Sequence, residues 1–103
     1  MVDKTIIDIV KNYINKIPNS IHVKKAYLFG SYAKGLNTKD SDIDIAIVIG
    51  NMSDFFVTQM QLMRLRRSID LRIEPHPIFE SDFSNTNPFA FEIQNSGIEI
   101  PRS

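Results

Sequence analysis

The stretch from Tyr27 to Ile49, YLFGSYAKGLNTKDSDIDIAIVI, decides the reading of this chain, because it holds nearly all the residues with chemistry to offer. Tyr27 to Phe29 are aromatic or branched and end on Gly30, and Ile43 to Ile49 is rich in strand-favouring residues. The pattern therefore predicts a strand, a tight Gly-Ser turn, a polar loop and a second strand. Gly30 and Ser31 at a strand end leave backbone N–H groups free to meet an anion. The residues after them are placed to begin a short helix whose N-terminus favours phosphate. Asp42 and Asp44 open the second strand. Side chains two apart on a strand share a face, so these carboxylates project together while Ile43, Ile45, Ile47 and Ile49 project the other way.

Two carboxylates held side by side raise each other's pKa unless a cation sits between them. Magnesium is the simplest remedy: it takes oxygen ligands and typically uses one or two carboxylates together with substrate phosphates. A Gly-Ser turn alone is usually just a turn, and Asp-x-Asp alone is usually a solvated strand start. Their combination, with ten residues between Ser31 and Asp42, is much more specific.

Phe29-Gly30-Ser31 followed by Ser41-Asp42-Ile43-Asp44-Ile45 resembles the signature of the polymerase-β-type nucleotidyltransferase superfamily. The fuller string, GSYAKG then SDIDI, is similar to its minimal branch, small prokaryotic proteins often encoded beside a HEPN-domain partner. The resemblance covers essentially the whole chain, most strongly residues 27–49. It implies an α/β fold of the α+β type in two layers, a mixed sheet with helices mainly on one face. It also implies transfer of AMP from ATP to a hydroxyl, with two magnesium ions. On the resemblance, Asp42 and Asp44 bind both metals. Asp70, in a hydrophobic-Asp-hydrophobic context on a later strand, binds the catalytic one and helps deprotonate the acceptor. Gly30 and Ser31 hold the β- and γ-phosphates. Larger relatives carry a further domain that shapes the acceptor site, and this chain is expected to lack one. In the minimal branch the acceptor implied is a tyrosine of a HEPN toxin, with this protein as antitoxin. Two alternatives stand beside it: an antitoxin that only binds its partner, and the catalytic subunit of an aminoglycoside-type nucleotidyltransferase.

The 103 residues fit one domain, 1–103, with one core. Lys plus Arg equals Asp plus Glu at twelve each, so no global basic field points to nucleic acid. The oligomeric state is left open. Absence of cysteine removes disulfides and thiolate metal sites and is compatible with the cytoplasm. No apolar run approaches a membrane span, and the start, MVDKTIIDIVKNY, has no secretory pattern, so a cytoplasmic protein without membrane contact is expected.

Around the central stretch, Ile6, Val10, Tyr13, Ile14 and Ile17 form one helical stripe over 3–17, with Asp3 as N-cap and Pro18 beyond the end. His22 reads as a surface or structural residue. Lys34 is close enough to the turn to reach a triphosphate, or is simply a solvated loop lysine, and Tyr32 is assigned to covering the loop. Ser53 is the expected cap of a helix over 54–68 whose Phe56, Met60 and Met63 face the core, leaving Phe55 for a partner surface. Arg64, Arg66 and Arg67 complement that helix's C-terminal dipole.

Ile69 to Glu74, IDLRIE, alternates strictly and predicts a half-buried strand with Asp70, Arg72 and Glu74 on its polar face. Glu74 is read as solvent-facing, or as a support for the ligands. Pro75-His76-Pro77 is read as a rigid turn that ends or bends the strand, in preference to a metal site at His76. Asn87-Pro88 caps a short helix to about Asn95 that carries Phe89 and Ile93, Gly97 stops it, and Ile98 to Ile100 form a last strand.

Overall fold

The computed structural model describes residues 2–50 and 54–102. Helix α1 spans Lys4–Asn15, and the Asp3 carboxylate accepts from the Thr5 N–H at 2.8 Å, satisfying one of the donors that every helix start leaves open. Its stripe of Ile6, Val10, Tyr13 and Ile14 is buried, as is Ile17 just beyond its end.

Four strands make one sheet: β1 (Val23–Phe29), β2 (Ile43–Ile49), β3 (Ile73–Phe79) and β4 (Ile98–Glu99), in the order β3-β2-β1-β4. Strand β1 runs antiparallel to β2 and β4, whereas β2 and β3 are parallel, so the sheet is mixed. After Asp44, β2 is an unbroken apolar run because it is covered on both faces. Ile43, Ile45, Ile47 and Ile49 pack with α1 and with Leu62 of α3 (Phe55–Leu65). Ala46 and Val48 point the other way, toward Ala90 and Ile93 of α4 (Pro88–Ser96). Helices α1 and α3 thus cover the main face, and α4 covers a smaller area of the opposite one. Asn87 caps α4 as expected, its side chain accepting from the Phe89 and Ala90 N–H groups.

Tyr13 ties α1 to α3. Its hydroxyl donates to the Leu62 carbonyl at 2.7 Å, and burial pushes the phenol's pKa well up, so the proton stays on the donor.

Three expectations are corrected here. First, α3 is capped by Asp54, whose carboxylate accepts from the Val57 N–H at 3.1 Å; Ser53 lies outside the described residues. Phe56 and Met60 do not face the core: they are 69% and 40% exposed. Helix α3 packs along β3, and Thr58 and Leu62, one turn apart, are the residues it buries.

Second, residues 69–72 are not strand. A 3-10 turn over Arg66–Ser68 leads into a loop, and β3 begins only at Ile73. Side chains satisfy this loop's backbone in place of a strand ladder. The Arg66 guanidinium donates to the Leu71 and Ile73 carbonyls at 3.2 and 3.0 Å, and the Asp70 carboxylate accepts from the Arg72 N–H at 2.9 Å. Leu71 is left 67% exposed.

Third, Pro75-His76-Pro77 lies inside β3 and does not end it. Strand β3 is at the sheet edge. The Ile43 N–H donates to the Arg72 carbonyl at 2.8 Å, so the even-numbered residues of β3 turn their backbone groups toward β2. Pro75 and Pro77 turn theirs outward, where no ladder donor is needed and where proline protects an edge from further pairing.

Candidate active site

The site is built where β1 ends and β2 and β3 begin. Phe29 pairs with Asp44 across the antiparallel β1–β2 ladder, so the chain leaving β1 at Gly30 turns directly beside the Asp44 carboxylate. Gly30 adopts φ +76°, which side-chain-bearing residues rarely tolerate, and a Cβ built there would lie 2.4 Å from Asp44 Oδ2. The carboxylate occupies the space that any other residue would fill. Ser31 then opens the single turn α2 (Ser31–Lys34). Tyr32 is buried beneath it in the core and its hydroxyl accepts from Arg72 Nη1 at 3.3 Å, so Tyr32 covers the loop as expected.

The parallel register pairs Asp44 with Glu74, and His76 follows two residues along the same face. His76 Nε2 lies 3.1 Å from Asp44 Oδ1 and 3.9 Å from Glu74 Oε1. One ligand atom from each of Asp44, Glu74 and His76 falls within 4.8 Å of the others. Phe29 packs edge-on against the His76 ring at 5.0 Å, and Phe89 of α4 lies 6.1 Å from it. This aromatic wall restricts the imidazole to the carboxylate side.

Asp42, exposed just before β2, completes the group through a hydrogen bond with Glu74. That bond, partial burial and the negative charges of Asp44 and Asp42 hold the Glu74 carboxyl above its usual range, and His76 opposes the shift. A divalent cation relieves this crowding by keeping all three carboxylates charged. The donor set therefore fits a hard cation: three convergent carboxylates, open to solvent on one side.

The structure does not bring Asp70 to Asp42 and Asp44. Asp70 lies in the loop before β3, where Arg72 donates to it from Nε at 3.1 Å and from Nη2 at 2.8 Å. These hydrogen bonds hold the Asp70 carboxyl below the usual carboxylate range. The register makes Glu74, four residues later, the carboxylate that faces the Asp-x-Asp pair. Lys34 is likewise engaged: its Nζ is 3.0 Å from Glu92 Oε1 on α4.

Glu74, read from the sequence as solvent-facing or as a support for the ligands, and His76, read as part of a rigid turn, are the residues that the structure adds to the candidate site. The signal was present in the alternation of Glu74, His76 and Ile78 through the two prolines. Continuing the strand past Pro75 exposes it.

A groove of about 590 Å³ opens beside the carboxylates, between α3 and the start of β3. Asp42, Glu74 and His76 line one end; Phe56, Met60, Met63, Arg64 and Arg67 line the wall formed by α3 and the turn after it. Among the described residues, no helix is long and apolar enough to cross a membrane.

Residues 4–102 match the family described as Polymerase beta, Nucleotidyltransferase. The chain is 31% identical over 98 residues to a Methanocaldococcus jannaschii protein named "Putative protein adenylyltransferase MJ0141", covering 92% of this chain and 98% of that one. Its fold is similar to that of a toxin-antitoxin crystal structure with AMP-PNP, at TM-score 0.67 and 21% identity over 94% of this chain and 73% of the other. A mutant of the toxin-antitoxin MntA-HpeT aligns at TM-score 0.60 and 20% identity over 100% of this chain and 75% of its own. The Gly-Ser turn set against Asp44 and the carboxylates gathered where β2 and β3 begin are the expected features of that family, and with the match over 4–102 the chain belongs to the polymerase beta nucleotidyltransferases and is a nucleotidyltransferase.

Proposed function

We propose that this protein transfers AMP from ATP to a hydroxyl of a partner polypeptide, with Asp42, Asp44 and Glu74 holding two magnesium ions. The observation that carries the proposal is the convergence of these carboxylates on the Gly30-Ser31 turn, with Asp44 filling the space of a Gly30 side chain. Bound magnesium would neutralise the triphosphate and the charge that develops on the attacking and leaving oxygens. Gly30 and Ser31 present backbone N–H groups and a hydroxyl to the β- and γ-phosphates. Asp44, central in the group, is set between that turn and Glu74. Glu74 takes the role first expected of Asp70: it lies on the groove side of Asp44, placed to take the acceptor's proton. His76 is a positioning residue that holds Asp44 through a hydrogen bond, a common arrangement around metal-binding carboxylates. Catalysis in such a site comes mainly from positioning and charge neutralisation.

The similarity to a protein described as an adenylyltransferase of proteins, and to toxin-antitoxin structures, favours a polypeptide acceptor. We assign it to a HEPN-domain toxin, with tyrosine as the modified residue and this chain as the antitoxin, acting in the cytoplasm. The test is intact-mass measurement of that partner after incubation with this protein, magnesium and ATP. Addition of one AMP supports the proposal. An unchanged mass with the partner still inhibited would show that contact alone accounts for the effect.

A further inference from the structure

We propose that the groove between α3 and the start of β3 docks the acceptor, and that its occupant is a segment of a second polypeptide whose hydroxyl-bearing residue is flanked by apolar and acidic side chains. This rests on the reading of the carboxylate cluster as a nucleotidyl-transfer site.

The first argument is the geometry of displacement. The acceptor oxygen attacks the α-phosphorus as the bond to the bridging oxygen of pyrophosphate breaks; the hydroxyl proton leaves to a carboxylate and pyrophosphate takes the electron pair. Attacking and leaving oxygens lie on opposite sides of phosphorus in an in-line reaction. Gly30 and Ser31, the groups assigned to the departing phosphates, border Asp44 from β1. Glu74 and His76 border it from β3, and they, not Gly30 or Ser31, line the groove. The sheet order β3-β2-β1 therefore puts the leaving group and the groove on opposite sides of the central strand's carboxylates. The acceptor must arrive from the groove.

The second argument is the chemistry of the wall. Phe56 and Met60 of α3 are 69% and 40% exposed, and Met63 lies beside them in the groove. Methionine and phenylalanine offer an adaptable apolar surface suited to polypeptide side chains. Arg64 and Arg67 stand exposed at its rim, and neither has a carboxylate within ion-pair distance among the described residues. Arg66 differs, being engaged with the Leu71 and Ile73 carbonyls. Two free guanidinium groups select for acidic neighbours of the acceptor residue and against a polycationic small molecule.

The probes are two synthetic tyrosine peptides, one with leucine and glutamate around the tyrosine and one with lysine replacing each glutamate. With magnesium and ATP, the acidic peptide is expected to gain AMP at least tenfold faster, read by mass spectrometry. Arg64→Glu/Arg67→Glu is expected to abolish or reverse that preference. The same variant should keep the full rise in melting temperature on adding magnesium-ATP, since it leaves the nucleotide side untouched. Equal rates on both peptides, no AMP on either, or a preference that survives the charge reversal would each overturn the docking assignment while an intact nucleotide-dependent shift preserves the transfer reading. Loss of the shift in Arg64→Glu/Arg67→Glu would identify the groove as a nucleotide pocket instead. Absence of the shift in the wild type removes both readings together.

Discussion

Exchanging the roles of Asp70 and Glu74 is the sharpest test of the structure, because the two acids predict opposite thermal behaviour. Asp70 accepts three hydrogen bonds from Arg72, at 2.9, 3.1 and 2.8 Å, and belongs to an ion pair whose arginine side chain is 40% exposed. A charge-assisted pair of this geometry would contribute ~1.5–3 kcal/mol if fully buried, and solvent screening at the exposed arginine lowers that to about 1 kcal/mol. Asp70→Asn keeps an oxygen for the Arg72 N–H but loses the charged fork. In a domain of this size, roughly 4–8 °C per kcal/mol, the metal-free melting temperature should fall by about 4–8 °C at neutral pH. The folded Asp70 pKa is depressed, so its contribution is present above the unfolded value of about 3.9 and is lost as pH falls through the folded value. The gap between wild type and Asp70→Asn should therefore close in acid.

Glu74 carries the opposite sign. Its carboxyl is raised in the folded protein, by the Asp42 hydrogen bond first and by partial burial and the neighbouring charges after it, so ionising it at neutral pH opposes folding. Glu74→Gln should leave the metal-free protein as stable as wild type or slightly more so. Ligand at 100 times its dissociation constant adds about 2.7 kcal/mol to the native state, a rise on the order of 10 °C for saturating magnesium-ATP. Asp70→Asn should keep that rise and Glu74→Gln should lose most of it. Scanning fluorimetry of the three proteins with and without magnesium-ATP decides the matter. If Asp70→Asn loses the rise while Glu74→Gln melts lower and keeps it, the register argument for Glu74 is refuted.

Gly30→Ala places a methyl group 2.4 Å from Asp44 Oδ2 at φ +76°, and should cost about 1–3 kcal/mol while suppressing AMP transfer; equal denaturant midpoints for variant and wild type would contradict it. Tyr13→Phe removes the buried donor to the Leu62 carbonyl and should lower stability by ~1–2 kcal/mol with the nucleotide-dependent shift unchanged, both readable from one set of melts. His76→Ala frees the Asp44 carboxylate and should reduce kcat for AMP transfer by about tenfold or more, with His76→Gln recovering part of the loss by offering a hydrogen bond. A KM effect with kcat intact would assign His76 to substrate binding.

Most of the strands and helices that the apolar pattern marks are present in the structure, and the reasons are local. The isoleucine alternation of 43–49, the stripe of α1 and the Asn87-Pro88 start of α4 each draw on one element's own periodicity or cap. The failures arise where a second element decides. Phe56 and Met60 lie about half a turn around α3 from Thr58 and Leu62, the residues that the helix buries, so the apolar stripe marked in the sequence is the one turned to the groove. The alternation of IDLRIE is a sound strand pattern, but Arg66, which opens the preceding turn, holds the Leu71 and Ile73 carbonyls and delays β3 to Ile73.

The candidate site follows the same division. Gly30, Ser31, Asp42 and Asp44 were legible because they belong to one contiguous β-turn-β unit, in which spacing along the chain determines spacing in the molecule. The third carboxylate depends on register between two parallel strands joined through α3, and a shift of four residues along the chain moves a side chain by about 13 Å. Only the pairing of Ile43 with Ile73 selects Glu74 over Asp70. The two prolines that first suggested a turn help to maintain that pairing. By turning their nitrogens to the open edge, Pro75 and Pro77 leave the even-numbered residues to bond with β2, and slipping β3 by one residue would set proline nitrogens where the ladder needs donors. Such a slip would also carry Glu74 and His76 to the opposite face. The Pro-His-Pro segment thus acts as a register lock for the carboxylate cluster, and the acid that faces Asp44 is chosen by the chemistry of the edge strand as much as by the Asp-x-Asp motif itself.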